Sequence, residues 1–218
     1  CHIPFVMVKN ISEKAAEILI DLKCINFSPK KQFKLTSGKK SPVYCDCRRI
    51  ISFPEERKKL IDFGILKLKE KPKFKKISNI AGGESAGIPF AAFIAQKLSL
   101  PMTYIRKEKK KFGKNSQIEG LMSQKDNVLL AEDLMTDGGS KLKFLDAIDQ
   151  LGANITCIFV IFNYGIIKDN YLFKKKKIDV ISLTNWDNVL SVASRRKILK
   201  YEEVKIIESF LTKMKVKS

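Results

Sequence analysis

The sequence predicts an α/β fold: a doubly wound, mostly parallel central sheet flanked by helices. Three observations predict it. The 218 residues, 44 % of them hydrophobic, are enough for one such domain with a substantial core. Short continuous apolar runs, typical of strands buried on both faces, recur from residue 77 onward. Helical patterns alternate with these runs, which favours parallel strands joined by right-handed crossovers.

The elements follow from apolar spacing and from residues that start or stop them. Residues 10–25 repeat apolar positions at helical spacing, and Pro54 begins a helix that runs to about Lys71. Two strands flank a polar turn in the first 50 residues: Lys31–Leu35 and Val43–Cys47. Beyond them we expect strands at Ile77–Ala81, Met102–Ile105, Asn127–Ala131, Ile155–Phe162 and Ile178–Leu183, and helices at Ala86–Leu98, Ser140–Leu151, Asn185–Ala193 and Glu202–Met214.

The first 53 residues do not follow the alternation of strands and helices. We therefore predict an N-terminal helix and hood strands over residues 1–53 and the α/β core over residues 54–218, with one structural unit overall. Residues 106–119 lack apolar periodicity and are predicted as a polar loop.

The formal net charge of +19 would attract nucleic acid, anionic lipid or phosphorylated small molecules. The surplus consists of lysines spread along the chain, 36 of them against six arginines, and a lysine surplus is more often a solvated surface. Charge alone therefore assigns no function. We expect neither a nucleic-acid partner nor a membrane partner.

The chain has five cysteines and no CxxC pair. In an extended strand Cys45 and Cys47 would share one face, but a zinc site needs two more ligands and His2 is the only histidine. Reduced cysteines, the lack of a signal-peptide pattern and the lack of an apolar run of about 18 residues lead us to expect a cytoplasmic protein.

The chemistry is concentrated in Asn127–Ser140, NVLLAEDLMTDGGS. An apolar strand runs into the acids Glu132 and Asp133, and Thr136-Asp137-Gly138-Gly139-Ser140 leads into a helix. Glycines at such a turn let backbone N–H groups point into one cavity, and the helix N-terminus adds a positive dipole end, which suits a phosphate. Ionised carboxylates accept hydrogen bonds from adjacent hydroxyls, so the acids suit a sugar diol. The pattern predicts a site for a ribose 5-phosphate, although solvated helix-capping acids are the alternative.

This segment resembles the phosphoribosyl-diphosphate signature of type I phosphoribosyltransferases. Three further segments resemble orotate phosphoribosyltransferases, in that family's order: FKLTSGKKSPVYCD (Phe33–Asp46), IAGGESAGIPFA (Ile80–Ala91) and YIRKEKKKFGKNSQIEG (Tyr104–Gly120). The resemblance spans roughly residues 10–200. It implies the type I fold and transfer of the 5-phosphoribosyl group from 5-phosphoribosyl 1-diphosphate to orotate, giving orotidine 5-phosphate and diphosphate in pyrimidine synthesis.

The resemblance also implies roles for individual residues. Lys110, Asp133 and Glu132 would be catalytic, and Tyr44, Thr136 and Tyr164 would lie near orotate. The residues expected to bind 5-phosphoribosyl 1-diphosphate are Arg106, Lys107, Lys110, Glu132, Asp133, Leu134, Met135, Thr136, Asp137, Gly138, Gly139 and Ser140. Mg²⁺ would be held mainly by the substrate, and the enzyme would be a homodimer with shared active sites.

The chain departs from the family pattern at several positions. Thr36 and Phe112 stand where many members have Lys and His, and Tyr164 lies near the place of an Arg that grips the orotate carboxylate. Two alternatives therefore stay open: a purine phosphoribosyltransferase, or a non-catalytic relative that binds nucleic acid or regulates.

Overall fold

The computed structural model describes residues 5–34, 38, 40–109, 117–136, 139–166 and 178–217. Its α-helices are α1 (Phe5–Asp21), α2 (Pro54–Lys69), α3 (Gly87–Leu98), α4 (Gly139–Leu151), α5 (Trp186–Arg195) and α6 (Tyr201–Lys217). Its strands are β1 (Ile25–Phe27), β2 (Phe33–Lys34), β3 (Lys40–Ser41), β4 (Val43–Cys45), β5 (Asn79–Gly83), β6 (Met102–Ile105), β7 (Ile118–Glu119), β8 (Asn127–Met135), β9 (Asn154–Asn163) and β10 (Asp179–Asn185). Short 3₁₀ helices span Cys47–Ser52 and Phe74–Lys76.

The central sheet has six strands in the order β10-β9-β8-β5-β6-β7. The first five are mutually parallel, and β7 is antiparallel to β6. The predicted doubly wound α/β fold is confirmed. From β5 the chain first adds β6 on one side and then returns to place β8 on the other. The boundary between β5 and β8 is thus a topological switch point, where sheets of this kind bind ligands beyond the carboxyl ends of their strands.

Alternate residues of β8 pack on opposite faces of the sheet, as the two-residue period of a strand requires. Leu129 and Ala131 join the core that contains α1, α2, α3, α5 and α6. Val128 and Leu130 join a second core that contains Phe144 of α4. This alternation decides where the acids at the end of β8 point.

Strand β8 is longer than predicted. The sequence placed its end at Ala131, but the ladder with β9 continues through Glu132↔Val160 and Leu134↔Phe162 to Met135. Pairing with β5 stops at Gly82↔Ala131. The last four residues of β8 therefore have a hydrogen-bonded neighbour on one side only, and the β5 side opens toward the switch point.

The N-terminal strands pair differently from the predicted hairpin. Phe33–Lys34 pairs with Lys40–Ser41, whereas Val43–Cys45 pairs with Ile25–Phe27, a strand that the sequence analysis did not predict. The change of partner falls at Pro42, which has no N–H to give to a ladder. Its carbonyl instead accepts a 2.8 Å hydrogen bond from the Ser28 N–H.

Helix α1 begins before the predicted residue 10 and packs on the core. Lys67 of α2 donates to Ser12 Oγ (3.0 Å) and to the Ser182 carbonyl (2.6 Å), so one ammonium group joins α1, α2 and β10. The division of the chain at residue 53 stays a prediction. Among the described residues, no helix is long and apolar enough to cross a membrane.

Candidate active site

Glycines at the end of β5 make space for Glu132. A Cβ on Gly83 would clash with Glu132 Oε1 and with the Phe144 ring. A Cβ on Gly87, the first residue of α3, would lie 3.2 Å from Glu132 Cδ and 2.5 Å from the Ala131 carbonyl oxygen. The Glu132 carboxyl group therefore occupies a socket that only glycine permits at these two positions.

The two acids of β8 face different surroundings. Glu132, 3 % exposed, lies on the α4 side, where Lys141 Nζ is 3.7 Å from its Oε2. Asp133 is half-buried and interacts electrostatically with Cys47 and Arg48 of the first 3₁₀ helix. The predicted acid pair thus lies at the switch point, with one carboxyl group enclosed and the other directed toward the N-terminal segment.

Burial governs the ionisation of both acids. It raises the pKa of Glu132 to about 8, against the opposing effect of Lys141. It also raises the pKa of Asp133, which Lys141 and Arg48 lower. The hydrogen bond between the two acids raises the pKa of Glu132 and lowers that of Asp133, so Asp133 is the acid of the pair that ionises first.

The predicted phosphate turn follows the acids directly. Thr136 and Gly139 are exposed, and Gly139 begins the 13-residue helix α4. The first turn of a helix presents N–H groups without helical partners together with the positive end of the dipole. Leu134 is half-buried, whereas Met135 is fully buried in the core beneath. Asp137, Gly138 and the side chain of Ser140 lie outside the described residues.

The base of the predicted polar loop, residues 106–119, is attached to Glu84, the residue directly after β5. Glu84 Oε2 accepts a 2.8 Å hydrogen bond from the Lys107 N–H, and the Ile105 carbonyl accepts one from the Glu84 N–H. The Glu84–Ser85 peptide bond is cis. Arg106 Nη1 is 3.8 Å from Glu119 Oε1, and its buried Nε has no hydrogen-bond acceptor among the described residues. Lys110 lies outside the described residues, as do Thr36 and Phe112.

The two predicted orotate-site tyrosines lie close to the same N-terminal segment. The ring centroid of Tyr44, 39 % exposed, is 6.1 Å from that of Phe33. Tyr164 makes edge-on contacts with Phe162 and Trp186 at 5.6 and 5.2 Å. Burial raises the pKa of Tyr164, and the nearby Cys45, Cys47 and Tyr44 add to the effect. The β9 end and the N-terminal segment therefore meet at this part of the site.

The cysteines beside the site are thiols. Cys45 Sγ and Cys47 Sγ are 3.5 Å apart and buried, but not on one extended strand as predicted, because β4 ends at Cys45 and Cys47 begins the first 3₁₀ helix. Their hydrogen bond and burial raise the pKa of the Cys47 thiol. Within the described part of the chain, no three Cys, His, Asp or Glu side chains are grouped so that they could hold a metal.

Sequence reasoning missed three contributors: Lys141, Arg48 and Glu84. Lys141 offered a signal, since a lysine in the first turn of a helix faces the positive end of the helix dipole. Arg48 and Glu84 gave none, because only the tertiary fold brings the first 3₁₀ helix beside β8 and the end of β5 beside the loop base.

A phosphoribosyl transferase domain model matches residues 55–193. With the acid pair and helix N-terminus at the switch point, this match assigns the class: the chain belongs to the phosphoribosyl transferase family.

Curated relatives indicate which members of this family the chain is similar to. The chain is 42 % identical over 205 residues to an orotate phosphoribosyltransferase of Cereibacter sphaeroides, covering 94 % of this chain and 88 % of that one. It is 43 % identical over 197 residues to that of Dinoroseobacter shibae, covering 90 % and 87 %. The predicted resemblance to orotate phosphoribosyltransferases is confirmed.

Solved structures show the same fold. An orotate phosphoribosyltransferase from Aeropyrum pernix matches with a TM-score of 0.70 and 24 % identity, covering 85 % of this chain and 99 % of that one. Leishmania donovani UMP synthase matches with a TM-score of 0.77 and 23 % identity. That match covers 94 % of this chain, which spans only 43 % of the longer UMP synthase chain.

Proposed function

We propose that this protein transfers the 5-phosphoribosyl group from 5-phosphoribosyl 1-diphosphate to orotate, giving orotidine 5-phosphate and diphosphate for pyrimidine synthesis. The observation that carries the proposal is the acid pair at the β5–β8 switch point, directly before the α4 N-terminus. The 42 % identity to orotate phosphoribosyltransferases supports orotate as the base.

The reaction asks for positioning and charge stabilisation. Breaking the bond between ribose C1 and the diphosphate leaves an oxocarbenium-like sugar and a highly charged leaving group. The Asp133 carboxylate accepts a hydrogen bond from a ribose hydroxyl and offsets the positive charge that develops on the sugar. Glu132, in its glycine socket, favours the ionised form of Asp133 through their shared hydrogen bond. A ring nitrogen of orotate is the nucleophile, so the mechanism needs no general base from the protein.

Phosphate groups are bound at both ends of the ribose. The turn that leads from Thr136 into α4 holds the 5-phosphate through backbone N–H groups and hydroxyls. Arg106, Lys107 and Lys110 neutralise the departing diphosphate. Since Glu84 fixes the Lys107 backbone, the cations enter the site from an anchored loop base. Closure of that loop would exclude water, which could otherwise capture the oxocarbenium.

Orotate would lie between β9 and the N-terminal segment, with Tyr44, Tyr164 and Thr136 around its ring. The support is the proximity of Tyr164 to Tyr44 and the exposure of the Tyr44 ring. Neither tyrosine carries the positive charge that many relatives direct at the orotate carboxylate, so selectivity here depends on ring contacts and hydrogen bonds.

Mg²⁺, a homodimer and a cytoplasmic location complete the proposal. We expect this ion to be held mainly by the oxygens of the diphosphate and the ribose. Bound there, Mg²⁺ would supply charge neutralisation. The four described cysteines are unpaired thiols, as is usual in the cytoplasm.

The decisive assay follows the absorbance band of orotate with and without 5-phosphoribosyl 1-diphosphate and Mg²⁺. We expect loss of the band only with all components present, and no consumption of uracil, adenine or hypoxanthine. Consumption of a purine at a comparable rate would contradict the choice of base. No transfer to any base would support the non-catalytic alternative.

The shared site has its own test, which uses Lys110→Ala and Asp133→Asn. If the Lys110 loop serves the neighbouring subunit, a mixed dimer has one intact site and one site with both lesions. Random pairing makes about half of the dimers mixed, so subunit exchange should restore roughly a quarter of wild-type activity. Activity that stays at the average of the two variants, with mixed dimers shown by mass spectrometry, would contradict the shared site.

A further inference from the structure

Lys141 occupies an unfavourable position. It is the third residue of α4 and only 8 % exposed. A cation in the first turn opposes the positive end of the helix dipole, and a buried ammonium loses its hydration. A residue that breaks two local rules needs a compensating partner, and such residues often mark functional sites. The partner here is Glu132, with Nζ 3.7 Å from Oε2.

The socket keeps the Glu132 carboxyl group within reach of that ammonium. Gly83 and Gly87 form its walls from β5 and α3, and neither has space for a Cβ beside Glu132. Phe144, one turn beyond Lys141 on α4, closes it from the same side. The ion pair is therefore set by three separate elements of the fold.

Among the described residues, a lysine, an arginine and a cysteine face the acid pair. Lys141 faces it from α4, Arg48 and Cys47 face Asp133 from the first 3₁₀ helix, and the nearby walls of β5 and α3 are glycines. The Arg48 side chain is 59 % exposed and also pairs with Asp46 at 2.8 Å. Lys141 is thus the buried cation of the pair, and it lowers the pKa of both acids against the effect of burial.

We propose that Lys141 is a positioning residue for the acid pair: its ammonium holds Glu132 in the glycine socket and keeps a negative charge on the pair, so that Asp133 meets the ribose as a carboxylate. The effect of Lys141 on catalysis depends on the proposed transfer reaction. The ion pair itself belongs to the ligand-free protein. The two parts can therefore be tested separately.

The first test measures kcat/KM for 5-phosphoribosyl 1-diphosphate between about pH 6 and 9. Lys141→Met keeps the length of the side chain and removes its charge. We expect a loss of about tenfold or more at pH 7, equivalent to about 1.4 kcal/mol. The acid limb of the profile should move to higher pH, because without the cation the pair keeps its protons longer. Lys141→Arg should keep the wild-type profile.

Lys143→Met is the matched control, since Lys143 is exposed on the same helix. It should leave both the rate and the pH profile unchanged. A profile for Lys141→Met that falls in height without moving in pH would reduce Lys141 to a packing role and overturn the inference.

The second test needs no substrate. The melting temperature of Lys141→Met relative to wild type should drop as the pH rises from about 7 to 9, because Glu132 ionises in this range beside its cation in wild type and lacks that cation in the variant. In a Glu132→Gln background the same substitution should show no such pH dependence. A pH-independent difference in the Glu132 background would overturn the inference even if the enzyme were fully active. Absence of orotate consumption by the wild type would refute the proposed reaction instead, whatever the melting data showed.

Discussion

The acids at the two ends of β8 have pKa values shifted in opposite directions. Before the strand, Asp126 accepts 2.8 Å hydrogen bonds from Ser78 Oγ and the Ser123 N–H, and a 3.5 Å bond from Asn79 Nδ2. These donors lower its pKa. After the strand, burial raises the pKa of Glu132 and Asp133. An acid whose carboxylate oxygens accept hydrogen bonds from the protein stabilises the fold. An acid whose pKa is raised by burial, at a strand end beside a cleft, is instead a candidate for binding a ligand.

The network around Asp126 extends across the sheet. Ser78 Oγ also accepts from the Asn127 N–H at 2.9 Å, and Asn79 Oδ1 accepts from Thr103 Oγ1 at 2.9 Å. The starts of β5, β6 and β8 are thereby tied together. Glu132 instead lies at ion-pair distance from Lys141 Nζ and shares a hydrogen bond with Asp133. The polar network thus ties three strands together at the amino end of the sheet, whereas the acids at its carboxyl end lie beside the switch point.

The largest effect should come from Asp133→Asn. The substitution keeps the shape and removes the charge that accepts a ribose hydroxyl and offsets the developing cation. Losing one charge-assisted hydrogen bond costs about 1.5–3 kcal/mol. We therefore expect kcat/KM to fall by roughly ten- to more than a hundredfold, with stability unchanged or increased. An unchanged kcat/KM in a steady-state assay would make the pair a structural cap like Asp126.

Asp126→Asn should show the reverse pattern. An amide has one acceptor oxygen in place of two. If that oxygen accepts from Ser78 Oγ, the amide nitrogen faces the donors Asn79 Nδ2 and the Ser123 N–H and cannot accept from them. Since the site is half-buried and water can replace some of these bonds, we expect urea denaturation to give a loss of about 1–2 kcal/mol in the free energy of unfolding. The kcat of the folded enzyme should not change. A large loss of kcat without loss of stability would break the proposed division between the two ends.

The response to pH should separate the ends further. Glu132 holds its proton in the folded protein up to about pH 8, whereas the unfolded chain releases it near 4.5, so this group lowers stability as pH rises through that window. The pKa of Asp126 is lowered, so its contribution is present at neutral pH and is lost on acidification below its ordinary pKa. Denaturation at several pH values should therefore show that Glu132→Gln flattens the curve between about pH 5 and 8.

In the same series, Asp126→Asn should change the curve only under acid conditions. If both variants altered the same pH window, the contrast between the two ends would be wrong. The wild-type curve alone decides nothing, because many other groups titrate, so the comparison is always variant against wild type.

The sequence predicted the features that depend on local patterns and missed those that depend on contacts between residues far apart along the chain. The sheet, its helices and the motif from Glu132 to Ser140 were predictable because apolar periodicity and the strand–turn–helix pattern are local. The pairing of Val43–Cys45 with Ile25–Phe27 was not, because several segments could compete for the same edge. The Glu132 socket was also hidden. It joins glycines about 50 residues away along the chain to a lysine that looked like part of a solvated surplus.

The smallest effect we predict is that of Ser78→Ala, and it tests whether Asp126 acts through its donors. Ser78 Oγ donates to Asp126 Oδ1 and accepts from the Asn127 N–H, so its loss leaves one carboxylate oxygen and one backbone N–H to water. We expect the free energy of unfolding to fall by about 1 kcal/mol. In the Asp126→Asn background the further loss should be smaller, since the two residues share one hydrogen bond. Full additivity in a double-mutant cycle would mean that Ser78 stabilises the β8 start through Asn127 alone. Because both substitutions lie at the amino end of the sheet, neither should change kcat/KM. A change in kcat/KM would show that the two ends of β8 are coupled.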